Sequence, residues 1–241
     1  MALAIATHAP SLLILASRSL PKITTVTEKI HAKTPNINIK SVQVDLASQT
    51  SIRHAANEIK SLKPELDVII NNAGINVPDK EFTEQGIEMH FGVNHIGLFL
   101  LTNLLIPLLL TSPPSLSQKK RIINLTSAGH RLSPIRFSDY NFEKRITDLP
   151  IEEQPPAGLP PAFTDPEKPY NPFVAYGQSK SANCLFSLSL TQKLKERGVV
   201  SFSVHPGCKQ KNLPVFFLEM KKGERLIIRN SYLDRSLEKS G

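Results

Sequence analysis

The sequence predicts an α/β protein built around a parallel sheet, and three observations carry that expectation. Leu12 to Ser17, Val68 to Asn71, Arg121 to Leu125 and Val199 to Val204 are short, mostly apolar runs of the length buried strands need. Ile23, Val26 and Ile30 keep helical spacing after the first run, and so do Ile52, Ala55, Ala56 and Ile59 further on. Strands alternating with helices imply βαβ units. Third, polar residues gather just after the strand-like runs, and open α/β sheets bind ligands outside the carboxyl ends of their strands. A chain of 241 residues suits one such domain, 1–241, with room for a substantial core.

Taken in order, Met1 to Ala9 is helix-compatible through Ala2, Leu3, Ala4 and Ile5 until Pro10 stops it. It lacks the basic n-region of a signal peptide. Asp67 to Ile70 runs abruptly into Asn71-Asn72-Ala73-Gly74, a buried strand entering a tight loop. A long helix is expected from about Glu84 to Leu110, with Asn94 inside it. Its greasiest part, Gly97 to Leu110, has fourteen residues, short of the ~20 that span a bilayer. Arg121 to Ser127 delivers Ser127 at a strand end, and Val199 to Val204 leads into His205-Pro206-Gly207. Ser127 and Tyr176 stand 49 residues apart, and the interval holds Pro155-Pro156 and Pro160-Pro161. That proline-rich insertion, 133–172, suits a surface lid or substrate loop, with a disordered insertion as the alternative.

The most telling spacing is Tyr176-Gly177-Gln178-Ser179-Lys180. Four residues apart on a helix, the phenol and the ammonium share one face. A neighbouring cation stabilises a phenolate, so a tyrosine that titrates near pH ~10 can work as an acid or base closer to neutrality. Lys193, Lys195 and Arg197 crowd the last turns of this helix, and Gly198 stops it. Taken singly, Ser127 reads as a strand-ending hydroxyl and Asp45 as an acid near a helix N-terminus.

Taken together, Asn71-Asn72-Ala73-Gly74, Asn94 with Gly97, Asn124-Leu125-Thr126-Ser127, Tyr176 with Lys180, and His205-Pro206-Gly207 resemble the short-chain dehydrogenase/reductase family. The retinol-dehydrogenase-like animal and fungal members are the nearest in pattern, and the match in order and spacing covers about residues 11 to 207. The resemblance implies a Rossmann-like, doubly wound sheet and an oxidoreductase that interconverts a carbonyl and an alcohol on a small organic substrate, lipid-like or of secondary metabolism. It implies that Tyr176 exchanges a proton with the substrate oxygen, Ser127 hydrogen-bonds that oxygen, Lys180 binds the nicotinamide ribose, and Asn94 holds a water in the relay. Asp45 and Leu46 would meet the adenine. Asn71, Asn72, Ala73, Gly74, Pro206 and Gly207 would line the cofactor. The greasy helix would pack on its copy in a homodimer.

Two departures stand out. The family's glycine-rich turn has no counterpart, because the first glycine is Gly74. Without it a pyrophosphate lacks its backbone cradle at a helix N-terminus. Met1 to Ala9 then reads as the tail of the first helix and Leu12 to Ser17 as the second strand, giving an N-terminally truncated sheet. The second and fourth strands are expected to keep unpaired edges. Beyond Gly207, lysines replace the family's valine and threonine, and 208–241 forms an atypical tail. A misplaced gene start, or a catalytically impaired binding or scaffold protein, is the alternative to an active enzyme.

Cofactor choice rests on Arg18, which follows the second strand where an NAD-preferring fold carries an acid. NADP(H) is therefore expected over NAD. The formal charge of +8 is dispersed and aromatics make up only 6%, which argues against a nucleic-acid stacking surface. Two cysteines give no disulfide framework and suit a reducing, cytoplasmic interior. No cluster has metal-ligand spacing.

Overall fold

The computed structural model describes residues 1–62, 65–112 and 120–207, together with the backbone of a strand at 225–229. Helix α1 (Ala2–Ala6) ends before Pro10, and β1 (Leu12–Ser17) follows as expected. Then come α2 (Leu20–His31), β2 (Ile39–Gln43), α3 (Gln49–Leu62) and β3 (Val68–Asn71). A short helix α4 (Met89–Phe91) passes through a π-turn (Gly92–Ile96) into α5 (Gly97–Leu109). Strand β4 (Lys120–Leu125), the long helix α6 (Pro172–Leu194), β5 (Val199–Val204) and β6 (Arg225–Arg229) complete the order.

The strands form one six-stranded sheet in the order β2-β1-β6-β3-β4-β5, and every pairing is parallel. Alternate strand residues feed two cores, as the period-2 pleat requires. Leu12, Ile14, Ala16, Ile69 and Ile122 face α3, α5 and α6 through Ile52, Leu101 and Phe186. Leu13, Leu15, Ile70 and Ile123 face α1 and α2 through Ile5, Ile23 and Ile30. The sheet is doubly wound.

One expectation is overturned here. Among the described residues no strand precedes β1, yet the slot between β1 and β3 is filled. Leu12 pairs with Arg225 and Val68 with Leu226, so β6 takes the central position from the far end of the sequence. The unpaired edges therefore do not arise. The rest of the 208–241 tail, including Cys208 and its lysines, lies outside the described residues.

The helix expected from Glu84 starts later, at Met89. Glu88 caps it: one carboxylate oxygen accepts from the Phe91 N–H at 2.8 Å, and its backbone pairs with Phe82 in an isolated bridge. Met89–Leu109, taken whole, is long and apolar enough to cross a membrane by length and composition. In the fold, Leu98, Leu101, Leu105 and Leu109 are buried in the core shared with α3. The Gly97 position demands glycine, because a Cβ there would meet the Leu46 carbonyl at 2.4 Å.

The proline-rich insertion is packed rather than disordered. It makes three short 3-10 turns and a small core of Phe142 with Val174 and Ala175, flanked by Phe163 and Tyr170. Arg136, 1% exposed, ties it together. It donates to Asp139 at 2.5 Å and to the Lys144 carbonyl at 2.7 Å, and its guanidinium lies 4.2 Å from the Phe142 ring centre.

Candidate active site

Helix α6 begins at Asn171, whose side chain accepts from the Phe173 and Val174 N–H groups while Pro172 occupies the first turn. This start sets the phase that turns Tyr176 and Lys180 to one side. The helix leaves through a 3-10 turn and a left-handed Gly198, as the sequence suggests. Ser127, two residues past β4, caps a 3-10 turn and accepts from the Gly129 N–H at 3.2 Å. That turn lies directly on α6. A Cβ on Gly129 would reach the Tyr176 ring at 3.0 Å, and one on Gly177 would reach the Gly129 carbonyl at 2.7 Å. Two glycines thus let the serine loop approach the tyrosine helix.

Lys180 is 4% exposed, and its Nζ lies 5.4 Å from the centre of the Tyr176 ring. The ammonium donates to the Leu125 carbonyl at 3.3 Å. Burial pulls its pKa down to about 8, so it remains mostly charged at neutral pH. Gly74 faces the same nitrogen, since a Cβ there would lie 3.0 Å from Lys180 Nζ and 3.4 Å from Asn94 Oδ1. A side chain there would press on the ammonium, so glycine lets the loop backbone lie against it.

Asn94 sits in the π-turn, a helical irregularity that recurs at functional sites. Its Oδ1 accepts from the Ile75 N–H at 2.7 Å, and its Nδ2 donates to the Ile75 carbonyl at 3.0 Å and to Ser179 Oγ at 3.1 Å. Its own carbonyl accepts from Asn183 Nδ2 at 3.1 Å. Asn94 therefore clamps the loop after β3 to the π-turn and to α6.

The other expected site residues divide. Asn72 and Gly74 lie in the loop beside Lys180, and Ala73 is buried in the core. Asn71 is placed differently from its neighbours. It is fully buried, and its amide donates to Thr102 at 2.8 Å and to Asn124 at 2.7 Å, so its side chain belongs to a polar ladder inside the sheet–helix core. Asn124 continues that ladder to Ser187 at 2.8 Å. Arg18 and Asp45 share a cavity of about 450 Å³ with Leu20, Ser51 and His54 at the carboxyl ends of β1 and β2. Asp45 also accepts from the Ala47 N–H at 2.9 Å, a local turn bond. Leu46 is buried against α5. Pro206 and Gly207 come just after β5 at the far edge of the sheet, with Gly207 in the left-handed region at φ 85°.

Sequence reasoning missed a second network beside the tyrosine. Glu88 and His90, both fully buried, are 2.7 Å apart, and the His90 ring stands edge-on to Tyr176 at 6.1 Å. Tyr170 Oη donates to Glu88 at 3.3 Å from the insertion, and burial pushes that phenol well above its usual range. Glutamate is not a favoured N-cap, and its partners lie up to 82 residues away, so local pattern gave no signal.

A family model described as short chain dehydrogenase matches residues 1–144. The oxidoreductase fscI of Fusarium equiseti is 38% identical over 208 residues, covering 86% of this chain and 80% of that protein. The chain belongs to the short-chain dehydrogenase/reductase family. Human retinol dehydrogenase 13 is 34% identical over 92% of this chain, but the match covers only 63% of that protein. For mouse retinol dehydrogenase 11, at 38% identity, it covers 52%. The chain thus spans little more than half the length of such retinol dehydrogenases. Among solved structures, an uncharacterised protein from Mycobacterium paratuberculosis superimposes with a TM-score of 0.57 at 26% identity, over 86% of this chain and 74% of the other. The NADPH-bound carbonyl reductase from chicken fatty liver shares the fold, with a TM-score of 0.54 at 21% identity over 82% and 69%.

Members of the family use nicotinamide cofactors, and the fit to this chain divides at the middle of such a molecule. Buried Lys180 beside the Tyr176 ring, with the Gly74 backbone close to its ammonium, supplies the donor a nicotinamide ribose would need. The diphosphate end has no glycine turn among the described residues, which stop at Arg229. Among the described residues, no group of three potential ligands could hold a metal ion.

Proposed function

We propose that this oxidoreductase interconverts a carbonyl and an alcohol with NADP(H), on a small organic substrate of lipid-like or secondary-metabolite character. The observation that carries the proposal is the buried Lys180 ammonium beside the Tyr176 ring, with the glycine backbone of Gly74 packed close to the same nitrogen. The cofactor, when bound, supplies or accepts the hydride. Tyr176 gives the substrate oxygen a proton in reduction and takes it back in oxidation. Ser127 orients that oxygen, and its bond to the Gly129 N–H leaves its own hydroxyl hydrogen free to donate. Lys180 favours the phenolate and holds the ribose, while Asn94 fixes the loop that carries Gly74. Arg18 at the rim of the 450 Å³ cavity supports a 2′-phosphate. Ala73, Pro206 and Gly207 complete the lining, and Asp45 and Leu46 take the adenine end. A cytoplasmic location and a homodimer through α5 belong to the same proposal.

The test is Tyr176→Phe, which removes the phenol oxygen and keeps the ring. Carbonyl reduction should fall by at least ~10²-fold, the usual scale of general acid–base catalysis. Activity within a few-fold of wild type would refute the assignment. For the cofactor, titration should show NADPH bound more tightly than NADH, with Arg18→Ala narrowing the gap; equal affinities in the wild type would reject NADP preference.

A second reading, a family member that binds or scaffolds rather than catalyses, is favoured by one observation. The central slot is held by β6 instead of a strand leading into a glycine turn. On that reading NADPH titrates weakly and Tyr176→Phe changes nothing measurable.

A further inference from the structure

His90 stands where three parts of the site meet. Its Nε2 accepts from the Val77 N–H at 3.0 Å, so its proton sits on Nδ1, which donates to Glu88 Oε1 at 2.7 Å. Glu88 is itself fixed from several further sides. Oε2 accepts from the Phe91 N–H, Oε1 accepts from Tyr170 Oη, and the Glu88 N–H donates to Asn141 Oδ1 at 2.8 Å. A fully buried carboxylate with this many donors cannot drift, and the imidazole bonded to it cannot turn. The His90 and Tyr176 rings lie 6.1 Å apart with planes 84° apart, the T-shaped arrangement aromatic pairs prefer. One turn on, Asn94 grips Ile75 while His90 grips Val77, so the same helical segment holds the loop after Gly74 at alternate residues.

We infer that His90 is a positioning residue for Tyr176: locked between Glu88 and the Val77 N–H, its ring keeps the phenol at the Lys180 ammonium. The inference rests on the proposed role of Tyr176 and adds the element that fixes its placement. Lys180 packs under the ring from within α6 itself, and Gly129 closes the Ser127 side. His90 closes the side reached from α4. Remove the imidazole and the tyrosine gains freedom in that direction, away from the Lys180 ammonium.

The experiment needs neither cofactor nor substrate. Phenolate formation is followed by ultraviolet difference absorbance across a pH titration of the full chain, and subtracting the Tyr176→Phe protein isolates the Tyr176 transition. His90→Gln keeps an acceptor for the Val77 N–H and loses the ring, so folding is preserved, which the thermal unfolding midpoint checks. It should raise the Tyr176 midpoint by about one pH unit, the effect of weakening one nearby charge. Tyr170→Phe, which frees one contact of Glu88 but leaves the His90 ring in place, should leave the midpoint where it was. A folded His90→Gln protein with the wild-type midpoint overturns the inference alone. So does an equal shift in Tyr170→Phe, since any loosening would then suffice. A wild-type midpoint at the ordinary phenol value near pH ~10 removes both this inference and the Tyr176–Lys180 pairing beneath it.

Discussion

Lys180 carries a burial cost that its neighbours offset only in part. The residue is 4% exposed, and its ammonium leans on a backbone carbonyl at 3.3 Å, a weak substitute for water. Burial lowers its pKa from 10.5 to about 8. Between those values the unfolded chain holds a proton that the folded chain has released, so stability rises with pH through that window. Below about 8 the folded state bears the whole penalty of the buried charge. Lys180→Met should therefore stabilise the ligand-free protein at neutral pH by about 1–3 kcal/mol while abolishing turnover. Urea unfolding of both proteins at pH 7 and again near pH 10 checks this: the difference should shrink at the higher pH. The sequence showed this residue and its partner plainly, because a tyrosine and a lysine one turn apart need no tertiary information to be read. It could not show Glu88, His90 and Tyr170 converging on them, since that depends on how distant segments pack.

At the level of elements, four of the six strands were legible and the start of the helix after β3 was not. β1, β3, β4 and β5 fall on apolar runs because both sheet faces are covered, leaving no alternation to misread. The helix expected from Glu84 begins five residues later because the Glu88 side chain folds back as its cap. The insertion illustrates the reverse problem. Its prolines announce irregular backbone, but nothing in the local sequence says that Arg136 will be buried between Asp139 and the Phe142 ring. That arginine anchors the segment, and the pair resists removal of one partner because an uncompensated charge is left inside. Arg136→Ala is expected to cost about 3–5 kcal/mol of local or global stability. Limited proteolysis should then cut within 133–172 at protease levels that leave the wild type intact, with Arg145→Ala, an exposed partner of Asp148, as the silent control.

Across the whole molecule, the sheet is continuous only because Arg225–Arg229 lies between β1 and β3. Composition and periodicity single out the missing glycine turn but not its replacement, since a five-residue run in a charged tail resembles many others. A proline in the middle of a central strand removes a ladder bond that nothing else supplies. Ile227→Pro should separate the β2–β1 half from the β3–β4–β5 half and abolish the cooperative unfolding transition. A wild-type transition in that variant would show that β6 contributes nothing to the sheet.

Pairing Leu12 with Arg225 also fixes when the fold can close. A ribosome adding about 5–20 residues per second needs about 10–40 seconds between β1 and β6. During that time β1, and then β3, are made, apolar, and bare along the sides that will later face β6. Each is an edge open to any other nascent chain. The yield of soluble protein should then depend on elongation speed and on holding chaperones more than on the stability of the finished fold. Rare codons placed between residues 72 and 224 would lengthen the exposure without altering a single side chain.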